Sequence, residues 1–371
     1  MTDVLHVVSG DLYAGAERIV EELALAQQSR LGMSVCVALL NPGVLAERLR
    51  AAGIDTHVFD ERRLGTASIV SKLRALVRSR AAEVVHAHRF KENIVGGFAA
   101  AGIVASVRTV HGAPEFSRAR GLRDRVIDGL DRFAARQLQS GVVCVSDELA
   151  QRLRPYYGRT RLHTVINGID GERLRTAAVG DTAALAGAVR VGVFARLVPV
   201  KRVDLALDVI ARARERSSLP LVLHVFGDGP LESSLRARVG TRDDVILHGN
   251  TDIAPRYLRQ MDALLMTSSH EGLPVAVLEA MALSVPVVAT RTGGIPDVLG
   301  QGDCGWLADA DDIAGYERGV IEAVTRSPER ARRVAAAHAR VEAEFSARRM
   351  AEDYRRVYAE ATRSFLGGAA A

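Results

Sequence analysis

Residues 268–282 read SSHEGLPVAVLEAMA and carry the strongest fold signal in this sequence. An apolar run, Ala263–Thr267, ends just before them, and Pro274 opens a helical pattern, where proline is favoured in the first turn. These residues predict a buried strand, a polar loop and a helix. Because the N-terminus of a helix suits a phosphate, Gly272, Leu273 and Pro274 are candidate ligand-binding residues.

The same succession of apolar run, turn and helix recurs along the chain. Apolar runs that are continuous rather than alternating predict parallel strands buried on both faces of a sheet. The expected strands are Val4–Val8, Ser34–Leu40, Glu83–Ala87, Ser106–Val110, Val142–Val145 and Leu162–Ile166, then Val191–Phe194, Leu221–Phe226, Val245–Leu247, Ala263–Thr267 and Val287–Ala289. We therefore predict two doubly wound α/β domains that bind ligands at the carboxyl ends of their strands, in a cleft between them.

The domain boundaries follow from where this alternation stops. Residues 171–188 are rich in Ala and Gly, and we interpret them as a linker between domains 1–170 and 189–345. Residues 346–371 are expected to form a terminal helix, ending near Phe365, and a loose tail. At 371 residues the chain also exceeds the usual size of a domain with a single hydrophobic core.

The composition is that of an ordinary globular protein, with 48% hydrophobic and 25% charged residues. A net charge of +5 favours anionic ligands but does not indicate nucleic acid, and 5% aromatic residues argue against base stacking. The three cysteines have no metal-binding spacing and are expected to be reduced thiols. Without a signal peptide or spanning segment, a cytoplasmic location is expected, with peripheral attachment to a membrane as an alternative.

Two cations follow the strand that ends at Phe194. Arg196 starts the loop and Lys201 stands at the entrance of the next helix. An Arg can hold two oxygens at once and a Lys acts as a point charge, so the pair predicts a diphosphate site. The alternative is ordinary surface charge.

Two carboxylates flank the start of the helix at Pro274. Glu271 lies in the preceding loop, and Glu279 lies beyond the first helical turn. Both could accept hydrogen bonds from sugar hydroxyls. The alternative is a loop residue near a helix cap and a solvated helix position.

The loop after the first strand contains Gly15 just before a helix, which would let a phosphate or an acceptor approach the backbone. A plain turn is the alternative. Gly10 and Gly15 have the spacing of a phosphate-binding loop, but Ala16 and Glu17 replace its Lys-Ser/Thr, which excludes that motif.

Histidines at strand ends and a pair of aspartates are candidate site residues or metal ligands. His111 ends a strand and faces the expected cleft, whereas His86 and His88 suit hydrogen-bonded core histidines better than a metal site. Asp309 and Asp311 form a D-x-D pattern that is better interpreted as a helix N-cap. We therefore predict no metal site.

A basic helical stretch is the remaining feature; it contains Arg118, Arg120, Arg123, Arg125, Arg132 and Arg136. A solvated face is the default interpretation, and contact with an anionic membrane surface is the alternative. The neighbouring loop, Ala113–Leu122, is expected to influence the choice of acceptor.

Taken in order, four motifs resemble the retaining glycosyltransferases of family 4, which have the GT-B fold of two Rossmann-like domains facing across a cleft. They are VINGID at 165–170, Arg196 with Lys201, the E-x7-E pattern of Glu271 and Glu279, and ATRTGGIPD at 289–297. The resemblance covers nearly the whole chain, and it implies that the terminal helix in 346–371 crosses back to the N-terminal domain.

The resemblance implies a role for each candidate residue. Glu279 would hold the ribose hydroxyls, Glu271 the hexose hydroxyls, and Arg196 with Lys201 the diphosphate. The turn at Gly249 and Asn250 would lie beside the base, and His111 would reach the sugar from the N-terminal domain. Ala14 stands where the family often has a second glycine, and Pro274 stands where some relatives have glycine.

The function expected from the resemblance is metal-independent, retaining transfer of a hexose or N-acetylhexosamine from a nucleotide-sugar, without a cofactor. The donor is expected to be a UDP-sugar, with GDP-mannose second. A glycan, a polyprenyl-linked or a small-molecule acceptor is expected, in cell-surface polysaccharide or glycoconjugate biosynthesis. The alternatives are a nucleotide-sugar 2-epimerase and a non-catalytic carbohydrate-binding subunit.

Overall fold

The computed structural model describes residues 2–112, 129–157, 161–183, 185 and 189–369. By their contacts the residues divide into a first unit, Met1–Gly168 with Ala347–Ala371, and a second unit, Ile169–Ser346. Each unit is built of helices and a parallel sheet, which confirms the predicted α/β class.

In the described part of the first unit, the strands form one parallel sheet: β1 (Thr2–Val8), β2 (Val35–Leu39), β3 (Asp55–Val58), β4 (Ala82–His88), β5 (Ala105–Val110), β6 (Gly141–Cys144) and β7 (Leu162–Thr164). Their order across the sheet is β3-β2-β1-β4-β5-β6-β7. The direction of winding changes between β1 and β4. In such sheets, ligands bind beyond the carboxyl ends of the strands at this switch point.

The described helices that follow these strands are α1 (Gly15–Leu31), α2 (Val44–Ala51), α3 (Thr66–Ser79), α4 (Phe90–Ala100) and α5 (Asp147–Tyr157). A π-helical turn spans Ala134–Leu138.

The second unit repeats this plan with the strands β8 (Val189–Phe194), β9 (Leu221–Phe226), β10 (Val245–Gly249), β11 (Ala263–Met266), β12 (Val287–Thr290) and β13 (Trp306–Ala308). Their order is β10-β9-β8-β11-β12-β13, so the switch point lies between β8 and β11. The described helices are α6 (Gly171–Ala177), α7 (Val203–Ser217), α8 (Glu232–Val239), α9 (Ala254–Leu258), α10 (Val275–Ala282), α11 (Ile295–Val298), α12 (Ile313–Val324) and α13 (Pro328–Glu344).

The last helix, α14 (Ala347–Ala369), belongs to the first unit although it follows the second unit in sequence. It packs against α1 and against β5. Tyr354 and Tyr358 are its most deeply buried aromatic residues, and they lie on the face that covers the sheet.

The two faces of the first sheet differ in character because side chains alternate along a strand. On one face Leu5, Val7 and Val85 join a fully apolar core with residues of α3 and α4. On the other face His6 and His86 are in register on β1 and β4, and both are fully buried. This second face therefore has a polar interior.

The core of the second unit is apolar. Ile210 of α7, Leu223 of β9 and Val320 of α12 are completely buried within it. Each such side chain contributes about 1.5–3 kcal/mol of hydrophobic stabilisation, so the sheet beneath the loops of this unit is a rigid support.

Two strands that the sequence patterns do not predict are edge strands. Three of the four residues of β3 are polar and none is buried, and β13 has only three residues. Neither gives the long apolar run by which buried strands are recognised.

The stretch 171–188, predicted as a linker, begins with helix α6, which corrects that prediction. The carboxylate of Asp170 caps this helix by accepting a hydrogen bond from the Arg173 N–H at 3.0 Å. Leu174 is buried, so the segment contributes to the packing of the second unit.

Three further predictions concern the cysteines, a membrane-spanning segment and the basic stretch near residue 120. Cys36, Cys144 and Cys304 are buried and free of disulfide bonds. Among the described residues, none of the helices combines the length and hydrophobicity that a membrane crossing requires. The loop Ala113–Leu122 and the arginines at 118, 120, 123 and 125 lie outside the described residues.

Candidate functional site

The predicted cations and the predicted acids follow the two strands at the switch point of the second unit. Arg196 and Lys201 follow β8, and Glu271 follows β11. These strands are neighbours in the sheet. The sheet order therefore brings the two loops to the position where doubly wound sheets bind ligands.

Lys201 and Glu271 form an ion pair, with 2.5 Å between Lys201 Nζ and Glu271 Oε1. The lysine side chain is 22% exposed and the glutamate side chain 9% exposed. Both groups therefore keep some access to solvent while neutralising each other. A ligand at this site meets a positive and a negative group side by side.

Hydrogen bonds to the backbone hold the two loops together. The Thr267 hydroxyl donates to the carbonyl oxygens of Lys201 at 3.1 Å and of Arg202 at 2.8 Å. The Ser269 N–H donates to the Val200 carbonyl at 2.8 Å. The position of Lys201 opposite Glu271 is thus set by backbone contacts and does not depend on the ion pair alone.

The loop after β12 supports Glu271 from another side. Gly293 has a φ of +56°, and a Cβ at this position would lie 2.0 Å from the Glu271 carbonyl oxygen. The Gly294 N–H donates to the Gly272 carbonyl at 2.8 Å. Only glycine fits position 293, because a side chain there would displace the backbone of Glu271.

Arg196 is exposed at the end of β8, and within the described ranges no acidic side chain forms an ion pair with it. Its loop is anchored by the Leu197 N–H, which donates to the Asp228 carbonyl at 2.7 Å. Gly229, with a φ of +154°, lies so close to Leu197 that a Cβ would meet the Leu197 carbonyl at 2.6 Å. The guanidinium therefore extends from a well-anchored backbone.

Glu279 is buried at 5% exposure on α10, which excludes the alternative of a solvated helix position. The helix begins at Val275, and Pro274 occupies the N-cap position instead of the first turn. Pro274 has no N–H, so the backbone donors at this helix end begin with Val275.

Gly249 and Asn250 lie at the end of edge strand β10. Gly249 has a φ of +75°, and its carbonyl accepts a hydrogen bond from the Gly227 N–H at 2.7 Å. Asn250 is exposed, with its side-chain oxygen accepting from the Thr251 N–H at 3.0 Å. This turn is therefore joined to the glycine-containing loop that also supports Arg196.

The D-x-D pattern at Asp309 and Asp311 is not an N-cap, which corrects that interpretation. Asp312 caps α12 by accepting from the Gly315 N–H at 2.9 Å. Asp311 pairs with Arg202 at 2.9 Å and Asp309 with Arg291 at 3.6 Å. Both carboxylates that this pattern would offer to a metal ion therefore form ion pairs with arginines.

His111 and Gly15 belong to the first unit, whereas the other predicted site residues belong to the second unit. Gly15 is exposed as the first residue of α1. His111 follows β5, and its Nε2 lies 3.2 Å from His88 Nδ1. Burial lowers the pKa of His111 to about 3, with Arg89 and Arg108 acting in the same direction.

The nitrogens of His6, His86 and His88 lie within 4.8 Å of one another, close enough to suggest a metal site. Every ring nitrogen of the three nevertheless has a protein partner: His6 bonds Gln27 and His88, His88 bonds His6 and His111, and His86 bonds Tyr358 and Thr109. This arrangement favours hydrogen-bonded core histidines, the preferred interpretation from the sequence.

An ion pair between a buried glutamate and a partly exposed arginine near the first loop has no signal in the sequence patterns. Glu17 is fully buried, and its Oε2 lies 2.9 Å from an Arg89 nitrogen and 3.3 Å from the Ala14 N–H. Burial raises the pKa of Glu17, while Arg89 opposes that shift. The pair fixes the start of α1 and therefore the position of Gly15.

Two family models match this chain. Residues 13–173 match glycosyltransferase family 4, and residues 188–326 match the glycosyl transferases group 1. The chain belongs to glycosyltransferase family 4.

Relatives of this family 4 protein agree with that assignment. The N-acetyl-alpha-D-glucosaminyl L-malate synthase of Bacillus anthracis is 33% identical over 126 residues, which are 33% of this chain and 32% of that enzyme. The UDP-Gal:alpha-D-GlcNAc-diphosphoundecaprenol alpha-1,3-galactosyltransferase of Escherichia coli is 24% identical over 336 residues, covering 86% of this chain and 87% of that enzyme.

Among solved structures, Anabaena Alr3699/HepE in complex with UDP-glucose has a TM-score of 0.79 at 19% identity. The match covers 97% of this chain and 100% of that chain. At this identity the likeness concerns the fold, and it confirms that the family 4 protein has the GT-B fold.

Proposed function

We propose that this family 4 protein is a retaining glycosyltransferase that takes a hexose or N-acetylhexosamine from a UDP-sugar. The observation that carries the proposal is the Lys201–Glu271 ion pair at the switch point of the second sheet. A nucleotide-sugar presents a diphosphate directly beside a polyhydroxylated ring. A cation and a carboxylate side by side match these two neighbouring chemical groups.

The diphosphate is the leaving group, and its negative charge grows as the anomeric C–O bond breaks. Lys201 and the exposed Arg196 supply positive charge for it, together with the N–H groups at the start of α10. Charge stabilisation of this kind lowers the barrier, each donor typically contributing about 10²–10³ in rate. Because the D-x-D carboxylates are paired with arginines, we propose that these cations act without a metal ion.

Glu271 accepts hydrogen bonds from hydroxyls of the transferred sugar, and Glu279 accepts them from the ribose. Gly272, Leu273 and Pro274 follow Glu271 around the entrance of α10. Support for this division comes from their positions on one loop and helix. The turn at Gly249 and Asn250 lies beside the base in this proposal.

Retention of configuration follows from attack of the acceptor oxygen on the face that the diphosphate leaves. The new C–O bond forms as the old one breaks, and the acceptor proton passes to an oxygen of the departing phosphate. Glu271 is already engaged by Lys201, which favours this route over attack by a protein carboxylate.

In this proposal the first unit takes the acceptor, with Gly15 and His111 on its contributing loops. The acceptor is a glycan, a polyprenyl-linked or a small hydroxyl compound in cell-surface polysaccharide or glycoconjugate synthesis. The E. coli relative, whose name describes transfer to a diphosphoundecaprenol-linked sugar, supports the polyprenyl-linked class.

The proposal is tested by binding and turnover with the purified full chain. UDP-glucose, UDP-galactose, UDP-N-acetylglucosamine and GDP-mannose are titrated separately while thermal unfolding is followed. A ligand at a hundred times its Kd stabilises the folded state by about 2.7 kcal/mol. We expect one UDP-sugar to stabilise the protein most and to be hydrolysed slowly without acceptor, with the released sugar in its original anomeric configuration.

If GDP-mannose binds most strongly, the donor carries GDP and the proposed UDP-sugar is wrong. An inverted sugar would contradict the retaining mechanism. Binding without any turnover on a panel of glycan and polyprenyl-linked acceptors would contradict the enzymatic proposal as a whole.

A further inference from the structure

Two chains of buried hydrogen bonds meet at Gln27 in the first unit. Gln27 is fully buried on α1. Its amide oxygen lies 2.8 Å from His6 Nε2, and its amide nitrogen donates to the Tyr358 hydroxyl at 3.1 Å. One end of this amide can only accept and the other can only donate. Gln27 therefore sets the direction of both chains.

The first chain runs from Gln27 to His111. The amide oxygen requires the ring proton of His6 on Nε2, so His6 Nδ1 carries a lone pair and accepts from His88 Nε2 at 3.0 Å. His88 Nδ1 then carries a lone pair and accepts from His111 Nε2 at 3.2 Å. By the same rule, the lone pair of His111 is on Nδ1.

This reasoning requires that each imidazole be neutral, because a protonated ring has two donors and no acceptor. Burial lowers the pKa of His6 to about 4 and keeps the pKa of His88 well below its usual value. For His111 burial lowers the pKa to about 3. All three rings are therefore neutral at pH 7 and carry one proton each.

The second chain leaves the other end of the same amide. Tyr358 accepts from Gln27, so its hydroxyl proton is directed to His86 Nδ1 at 2.7 Å. His86 Nε2 then donates to the Thr109 hydroxyl at 2.7 Å. The Thr109 hydroxyl in turn lies 2.9 Å from the Tyr354 hydroxyl. The second chain of hydrogen bonds is as buried as the first but does not include His111. It therefore offers a matched control.

We infer that Gln27 is a positioning residue that, through His6 and His88, holds His111 in the tautomer with its proton on Nε2 and leaves Nδ1 free to accept a hydrogen bond from a substrate hydroxyl. Among the described residues, His111 Nδ1 has no hydrogen-bond partner. The inference rests on the proposed function, because that function supplies the hydroxyl-bearing substrate.

A consequence concerns the chemistry of His111. Its one ring proton is committed to His88, and the ring faces substrate only as an acceptor. His111 therefore orients a substrate hydroxyl as a hydrogen-bond acceptor and donates no proton to the substrate. A substrate group that cannot donate a hydrogen bond gains nothing from this contact.

The tautomers are measured directly by long-range ¹H–¹⁵N correlation spectra of the full-length, ¹⁵N-labelled protein without substrate. His111→Gln assigns the His111 signals. We expect His6, His88 and His111 all to carry the proton on Nε2. A proton on His111 Nδ1 would overturn the inference, because reversal of the Gln27 amide reverses every tautomer in the chain.

Two variants separate tautomer control from simple packing. Gln27→Met removes the amide at similar volume, whereas Tyr358→Phe breaks only the second chain. We expect mixed His111 tautomers and a fall in kcat/KM of about fivefold for Gln27→Met, which is the scale of one neutral hydrogen bond. Tyr358→Phe should leave the His111 signals and kcat/KM unchanged.

Equal effects of both variants, or unchanged His111 tautomers in Gln27→Met, would overturn the inference. If Gln27→Met does not fold, the spectrum of the unsubstituted protein still decides the matter. The spectra require no substrate, so a failure of the proposed function leaves them unaffected and is recognised by absent turnover alone.

Discussion

Lys201 Nζ lies 2.5 Å from Glu271 Oε1, although the two residues are 70 positions apart and follow different strands of one sheet. The contact joins the group proposed to hold the diphosphate to the group proposed to hold the sugar. Substitutions at its two ends should therefore have different effects on binding and on transfer.

Lys201→Ala removes positive charge from the leaving group. We expect the rate of sugar transfer to fall by about 10²–10³, the usual cost of losing one donor to a developing negative charge. The measurement is single-turnover transfer, with folding checked by circular dichroism. Lys72→Ala is the control because Lys72 is exposed on α3 of the other unit, and its transfer rate should stay unchanged. Near-normal transfer by a folded Lys201→Ala would contradict the assigned role.

Glu271→Gln neutralises the partner of Lys201 and leaves the lysine charge available to phosphate. We expect UDP to bind more tightly, by up to about fivefold, the scale of an ion pair near the surface. Transfer should nevertheless become slower, because an amide accepts sugar hydrogen bonds less strongly than a carboxylate. Calorimetric titration with UDP and a transfer assay measure the two effects. Weaker binding of UDP would show that Glu271 does not compete for Lys201.

Gly293→Ala should displace the backbone of Glu271, because the added Cβ would lie 2.0 Å from its carbonyl oxygen. We expect transfer to fall at least tenfold while the unit remains folded. Gly240→Ala is a matched control: its φ of +53° is close to the +56° of Gly293, but its Cβ would meet nothing nearer than 3.8 Å. Similar loss of transfer in both variants would assign the effect to backbone strain instead of the displaced loop.

Asp131→Asn should destabilise the first unit. Asp131 and Arg108 are both fully buried, and one guanidinium nitrogen of Arg108 lies 2.8 Å from each carboxylate oxygen. Removing one charge leaves the other buried and unbalanced, which costs about 3–5 kcal/mol. Urea unfolding measures this loss. The exposed pair Arg238–Asp208 provides the control: Asp208→Asn should change the free energy of unfolding by less than about 1 kcal/mol.

Acid should destabilise the protein through its buried histidines. The pKa values of His6 and His111 are lowered to about 4 and about 3 in the folded state. Between pH 6.5 and 4 the unfolded chain binds protons that the folded protein does not bind. The free energy of unfolding should therefore fall as the pH falls, by about 1.4 kcal/mol per pH unit for each such histidine.

Urea unfolding at pH 5 and pH 7 gives this slope. His6→Gln should reduce this slope, whereas Ser71→Ala should not, because Ser71 is exposed on α3 and carries no titratable group. A stability that does not change between these pH values would contradict neutral, buried histidines.

The central parts of both sheets and the contact between Lys201 and Glu271 could be predicted because they depend on regular patterns. Apolar runs identify the strands, and the winding order of α/β sheets brings the loops after two neighbouring strands together. The edge strand β3 was not predictable in this way, since none of its residues is buried and three of its four residues are polar.

Polar contacts between a helix and a strand had no such signal. Gln27 is a polar residue within α1, and the sequence does not show whether such a glutamine is exposed or buried. Only the packing of α1 over His6 shows that Gln27 is buried and which residue it contacts. The pair of Glu17 and Arg89 joins residues 72 positions apart. Asp312, and not Asp309 or Asp311, caps α12. The residue at which a helix starts depends on backbone geometry, and three aspartates close together in sequence do not show which of them is the cap.

The membership of α14 in the first unit has a consequence for biosynthesis. On the ribosome, residues 169–346 are complete before Tyr354 and Tyr358 are made, so the second unit can finish folding while the first still lacks its covering helix. Until then His86 and Thr109 would meet water where the tyrosines later bind. The half of the protein that is translated first can therefore complete its packing only after the whole second unit has been made.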